Sequence, residues 1–244
     1  MMWRKARKGI VGIEAAIVLI AFVIVAAALA FVTLNMGFFT TQKSGAVIQS
    51  GLGEASTALE VDGSLLAYSE KGSYVNYTII PIKVSPGKHY VDLDPKRASI
   101  LYWSMDAGSF ADIYVVYGYI DVANNGTYYL YAKHKNDTIL YNGTAGPNAR
   151  IGSSINITEI WRLLNNKMND DVYAAIIWID YMDAFDTNLQ IGEKAIVITV
   201  FEDTNIQPSV YETIKFEIKP PMGAPLTVEK TMPAGIDQGV IDLG

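Results

Sequence analysis

The stretch Arg7-Lys8-Gly9-Ile10-Val11-Gly12-Ile13-Glu14-Ala15 opens an apolar run that continues to Phe39, with Glu14 as its only charge. No Lys or Arg stands between Lys8 and Lys43. A run that is apolar on every face has no polar side to give to water, so it is not the surface helix of a soluble domain. About 20 apolar residues suffice to cross a bilayer, and Ile10 to Phe39 exceeds that. Upstream, Arg4, Lys5, Arg7 and Lys8 form a basic cluster. Positive residues beside a membrane span stay cytoplasmic, which puts everything after the run outside the cell.

Two familiar readings of such a segment fit poorly. An ordinary secretory signal has an apolar core of about 7–15 residues and small residues at its cut. Here the run is longer, and Met36 to Gln42 offers no such site. An ordinary anchor gives no reason for Glu14. A carboxylate one turn into an apolar run costs on the order of a few kcal/mol in lipid unless it is paired or near the interface.

Basic residues, a glycine, an apolar run and a glutamate in this order resemble the leader of archaellins (archaeal flagellins) and type IV pilins. In that family a dedicated membrane peptidase cuts after the glycine. The resemblance implies a cut between Gly9 and Ile10, and a mature chain that keeps its apolar helix. Glu14 becomes the fifth residue, where the pilin-like pattern places glutamate. Cutting leaves a cationic amine on Ile10, and a carboxylate nearby can pair with it, in the same subunit or the next. An isolated buried charge is far more costly than a paired one. Losing Arg4, Lys5, Arg7 and Lys8 takes the formal charge from −6 to −10. Further along, Asn35-Met36-Gly37-Phe38-Phe39-Thr40-Thr41-Gln42-Lys43 is similar to the archaellin segment that leaves the membrane zone. Ala224-Pro225-Leu226-Thr227-Val228-Glu229-Lys230-Thr231 is similar to an archaellin tail. Both favour an archaellin over an adhesion pilin. The resemblance implies a homopolymer, an extracellular rotary filament, with a precursor held in the cytoplasmic membrane. Its implied partners are copies of itself, the leader peptidase, and a motor and assembly platform that hydrolyse ATP elsewhere.

The fold class expected is α+β, a long N-terminal apolar helix followed by an immunoglobulin-like β-sandwich head. Residues 1–9 read as the leader, 10–60 as the helix and 61–244 as the head with a C-terminal tail. The helix is expected to run from Ile10 to about Leu59, weakened by Gly37, Gly45, Gly51 and Gly53 at very roughly 1 kcal/mol each against Ala. Asp62-Gly63 marks its end. After Ser64 the pattern turns to runs rich in Val, Ile, Tyr, Phe and Thr: Tyr74–Val84, Ala98–Ser104, Asp112–Val122, Thr127–Lys133, Val172–Met182, Lys194–Glu202 and Glu212–Lys219. Asn125-Gly126 is a hairpin signal. Ser85-Pro86-Gly87 and Ile191-Gly192-Glu193 read as turns, and Thr158–Asn166 as a short helix. About seven strands suggest a sandwich, without the immunoglobulin cysteine–tryptophan hallmark. Pro220-Pro221-Met222-Gly223 is expected to break the last strand and begin an extended tail.

Composition narrows the chemistry. Half of the residues are hydrophobic and 18% are charged, with a formal net charge of −6. That sign gives no overall attraction for nucleic acid. The absence of cysteine removes disulfides, thiolate metal sites and cysteine nucleophiles. His89 and His134 are the only histidines. No P-loop or nucleophile elbow occurs, and no cofactor is implied.

Five Asn-X-Thr sites, at Asn76, Asn125, Asn136, Asn142 and Asn156, exceed the roughly one or two expected by chance and suggest N-glycosylation on the outer side. Asn-Gly-Thr at Asn125 and Asn142 also reads simply as a turn before a β residue. Asp180, Asp183 and Asp186, with Asp170-Asp171 upstream, are a weak Ca²⁺ candidate without EF-hand spacing; the plainer reading is a solvated loop. The tyrosines Tyr114, Tyr117, Tyr119, Tyr128, Tyr129 and Tyr131 read as strand packing or subunit contact. An adhesion pilin would share leader and helix. A monomeric membrane-anchored binding module would keep its basic residues. A secreted enzyme would need a catalytic constellation that the sequence does not display.

Overall fold

The computed structural model describes residues 8–55, 58–123, 126–142, 150–152, 157–165, 168, 170–182 and 186–244. The chain divides near Gly53 into two compact units. The first is a single helix, α1 (Lys8–Ala55), of 48 residues. At 1.5 Å per residue it is about 72 Å long. It holds many β-branched residues and no proline. In an apolar medium these still form a helix, because every backbone N–H and C=O must find its partner within the segment. Gly37 and Gly45 do not interrupt it.

The helix stops earlier than the sequence reading placed it. Leu59–Val61 is a strand, β1, paired antiparallel with Lys83 and its neighbours in register Leu59↔Val84 and Val61↔Ile82. Ala58 and Leu59 are buried, and the Ala58 carbonyl accepts from the Ser85 amide at 3.0 Å. Burial and a strand ladder outweigh helix propagation through Gly51 and Gly53. Asp62-Gly63, with Gly63 at φ 131°, therefore turns the chain after a strand and not after a helix.

The second unit is rich in β-structure. Its strands follow as β2 (Leu66–Ser69), β3 (Tyr77–Val84), β4 (Tyr90–Asp92), β5 (Ser99–Ser104), β6 (Gly108–Phe110), β7 (Tyr114–Val122), β8 (Tyr128–His134), β9 (Ile139–Tyr141) and β10 (Arg150–Gly152). After helix α2 (Ile157–Asn165) come β11 (Val172–Asp180), β12 (Asn188–Gln190), β13 (Lys194–Phe201), β14 (Thr213–Lys219), β15 (Leu226–Thr231) and β16 (Gly239–Asp242). A ten-stranded sheet runs β10-β8-β7-β11-β13-β3-β2-β16, with β1 on β3 and β9 on β8. A four-stranded sheet runs β15-β14-β5-β6, and β12 pairs with β4. All of these pairs are antiparallel except β7 with β11.

All seven expected runs are strands, within one to three residues at their ends, and α2 begins one residue before the expected Thr158. Asn125 lies outside the described residues, but β7 and β8 do form an antiparallel hairpin around it, with Val122 opposite Tyr128. Gly126 there has φ 76° and its amide donates to the Ala123 carbonyl at 2.9 Å.

The expected extended tail forms two further strands of the head. After Pro220-Pro221-Met222-Gly223, β15 returns along β14 with Ile218↔Leu226 and Phe216↔Val228. Then β16 pairs with β2, Ile241 opposite Ala67. Val228, Met232 and Ile236 are buried, which is what holds residues 224–244 down.

The core explains the layers. In β11, Val172 to Trp178 are all buried, and they alternate between two clusters. Val172, Ala174, Ile176 and Trp178 face Ile100, Tyr102, Ile214, Phe216 and Val228 of the smaller sheet. Tyr173, Ala175 and Ile177 face the other way, with Ile160 and Leu164 of α2. A strand covered on both faces reads as an unbroken apolar run and not as an alternation. Ring contacts join the layers: Tyr102 to Phe201 at 4.9 Å on one side, and Trp161 of α2 to Tyr77 at 5.4 Å on the other.

Gly118 in β7 has no room for a side chain. A Cβ there would lie 2.0 Å from the Tyr131 carbonyl oxygen, which is backbone of the neighbouring strand. Gly118→Ala is expected to destabilise the head by at least about 2 kcal/mol, because the strand pair must separate; denaturant unfolding followed by tryptophan fluorescence measures it.

Burial pushes the hydroxyls of Tyr77 and Tyr141 up to about 12, in Tyr77 against the opposing pull of its bond to Thr158. The folded state thus keeps protons that the unfolded state releases near pH 10. Their contribution is complete below pH 10 and is lost as pH rises from 10 to about 12. The head is expected to unfold on alkaline titration in that window, and Tyr77→Phe should make the loss shallower, as read by circular dichroism against pH.

Candidate functional site

The first unit presents the most unusual surface. Every residue of α1 from 12 to 52 is exposed, including Phe22 at 71% and Met36 at 70%. A soluble monomer does not leave an apolar surface of this extent uncovered. The helix is long and apolar enough to cross a membrane over residues 12–54.

Three of its threonines are satisfied within the helix. Thr33 donates to the Leu29 carbonyl at 2.9 Å, Thr40 to Met36 at 2.8 Å and Thr41 to Gly37 at 2.9 Å. Hydroxyls satisfied by the preceding turn need neither water nor a partner, so they do not oppose apolar burial. Glu14 is exposed and lines a shallow apolar recess with Ala15, Val18, Leu19 and Phe22. Among the described residues it has no ion pair. Lys8, Gly9 and Ile10 lie in the first turns of α1, while Arg4, Lys5 and Arg7 fall outside the described residues.

The head separates the Asn-X-Thr sites. Asn136 is exposed in the β8–β9 turn, and Thr138 beside it is exposed too. The Asn136 side-chain oxygen Oδ1 accepts from the Thr138 backbone N–H at 3.1 Å, and the Asn136 backbone N–H donates to His134 Nδ1 at 3.2 Å. Asn76 is half-buried; its side-chain oxygen accepts from the Glu70 amide at 2.7 Å. Its Thr78 is fully buried. Asn142 follows β9 and is half-buried. Asn125 and Asn156 are outside the described residues.

Asp180 and Asp186 are exposed, and Asp186 holds Asn188 through its amide at 2.8 Å and its side chain at 3.1 Å. Asp183 lies outside the described residues. Among the described residues no three His, Asp or Glu side chains converge as a metal site would require. The tyrosines pack: Tyr114 is buried and donates to the Leu93 carbonyl at 2.6 Å, while Tyr119 meets Tyr131 at 4.9 Å and Tyr181 at 5.1 Å.

Two buried carboxylates organise loops that sequence reasoning passed over. Glu193 accepts from the Met182 amide at 2.8 Å and the Gln190 amide at 2.9 Å. Glu212 accepts from the Ser209 amide at 2.8 Å and from the Ser104 hydroxyl. A Glu three residues after the amide it accepts from is the one local signal that could have marked both. On the surface Asp62 is held low by its bonds to Lys194 and Lys83, at 2.9 and 3.1 Å, tying the β1–β2 turn to β3 and β13.

The family model for archaeal-type flagellin matches residues 9–230, which spans both the apolar helix and most of the head. The chain belongs to the archaeal-type flagellin family. A probable flagellin 1 of Aeropyrum pernix is 39% identical over 241 residues, covering 98% of this chain and all of that one. A probable flagellin 2 of Archaeoglobus fulgidus is 30% identical over 240 residues, 94% of this chain and 92% of that one. Among solved structures, the archaeal flagellum of Methanospirillum hungatei aligns with a TM-score of 0.49 at 26% identity, covering 94% of this flagellin-family chain and 98% of the other.

Proposed function

We propose that this chain is a structural subunit of an archaeal flagellum filament, made by the packing of α1 against copies of itself. The observation that carries it is a flagellin-family chain whose helix is exposed along residues 12–52. Such a helix needs an apolar covering. Before assembly the bilayer supplies it; in the filament like helices supply it through close packing. The subunit does no chemistry of its own.

The route follows from the first residues. A membrane peptidase of the leader-cleaving kind removes residues 1–9, cutting between Gly9 and Ile10. The basic residues Arg4, Lys5, Arg7 and Lys8 hold that end on the cytoplasmic side until then. The new amine on Ile10 pairs with Glu14 in the same or an adjacent copy. The heads lie outside the cell, and a membrane motor and assembly platform drive the finished filament. Glycans on Asn136 would decorate its outer surface.

Native protein sheared from cells is expected to begin at Ile10 and to be polymeric, and its deletion to abolish swimming. A start at Met1 or Met2 in a detergent-soluble monomer would overturn the reading. Glu14→Gln is expected to leave membrane insertion intact and sharply reduce filament yield, measured by quantifying sheared and membrane fractions; normal yield would remove the amine pairing.

Peptide mass spectrometry of the native filament is expected to find a glycan on Asn136, where both Asn and Thr are exposed, and a bare Asn76, whose Thr78 is buried. Bare peptides at Asn136 would end that assignment.

A further inference from the structure

Between Ile10 and Ala55 the helix carries three charges, Glu14, Lys43 and Glu54. All three are exposed, and none has an ion pair among the described residues. Their spacing is regular in one respect. Lys43 is 29 positions after Glu14 and Glu54 is 11 after Lys43. At 3.6 residues per turn each step closes to within about 20° of a whole number of turns. The three charges therefore fall on one narrow stripe of α1, while the rest of its circumference carries only uncharged residues.

Within one copy Lys43 and Glu54 are separated by about 16 Å along the axis, beyond the combined reach of the two side chains. Glu14 is further still, about 43 Å away. A charge on an apolar helix that becomes covered needs a partner close by. If Glu14 serves the Ile10 amine, Lys43 and Glu54 are left as one cation and one anion, equal in number. The geometry points to a pair between Lys43 of one copy and Glu54 of an adjacent copy, made when parallel helices stagger by about 16 Å and their charged stripes converge. This rests on the filament reading and adds to it the axial register: an uncharged apolar seam could slide, whereas opposite charges at a fixed spacing select one offset.

The same pair accounts for both signs. Like-charge contact at the wrong offset, Lys43 against Lys43 or Glu54 against Glu54, opposes an unstaggered bundle. The stripe thus disfavours flat association and favours stepped addition.

Charge exchange tests it in cells that lack the native chain. Lys43→Glu and Glu54→Lys are each expected to lower sheared filament yield by about tenfold or more, since each leaves like charges facing one another. The combined variant, Lys43→Glu with Glu54→Lys, is expected to restore filaments. Membrane-fraction amounts equal to the native chain show that the variants are made and inserted. A helical reconstruction of the native filament is expected to show touching helices offset by about 16 Å. Unaffected single variants, or a double variant that stays defective, overturn the pairing while native filaments in the control keep the filament reading. A control with no filaments overturns both.

Discussion

A helical run from Ile10 to Phe39, about 45 Å long with Glu14 as its only charge, cannot rest in water. Burying it is the constraint on which the rest of the protein turns. Residues 12–52 are exposed in the single chain. The covering must come from elsewhere: in the filament, from copies of the same helix, and on the proposed route, from lipid before that. Polymerisation is thus the state in which the chain's largest hydrophobic surface is satisfied outside the membrane.

The head solves a different problem. It must be stable on a core of its own. It does so with two strands, β11 and β13, that are buried on both faces and bind the smaller sheet on one side and α2 on the other. Residues 224–244 close the construction by adding β15 to one sheet and β16 to the other. Ion pairs such as Lys83 and Lys194 on Asp62 tie its turns at the surface.

Much of this was legible because long elements carry periodic signals. The helix declares itself by the absence of charge from Val11 to Ile13 and from Ala15 to Gln42, and β11 by the run Val172 to Trp178. Strands of three residues, such as β4, β6, β9 and β12, place at most two side chains on a face and show no period. That is why they were missed. The tail misled for another reason: Pro220-Pro221 does stop β14, but the alternation of Leu226 and Val228 that restarts pairing is short and dilute. Glu193 and Glu212 were invisible because a buried carboxylate bound to backbone amides looks, in sequence, like any turn residue. The proposed leader, by contrast, is read from sequence alone: Arg4, Lys5 and Arg7 fall outside the described residues.

The threonines of α1 have a kinetic meaning. Thr33, Thr40 and Thr41 each carry their own hydrogen bond to the preceding turn. Moving these hydroxyls from one apolar environment to another breaks no polar contact of theirs and requires none to be remade. On the proposed route from membrane to filament, these threonines then add to the activation barrier only by exchanging lipid tails for neighbouring side chains, which happens in many small increments. A helix with unsatisfied hydroxyls would have to expose them, all at once, at the top of that barrier.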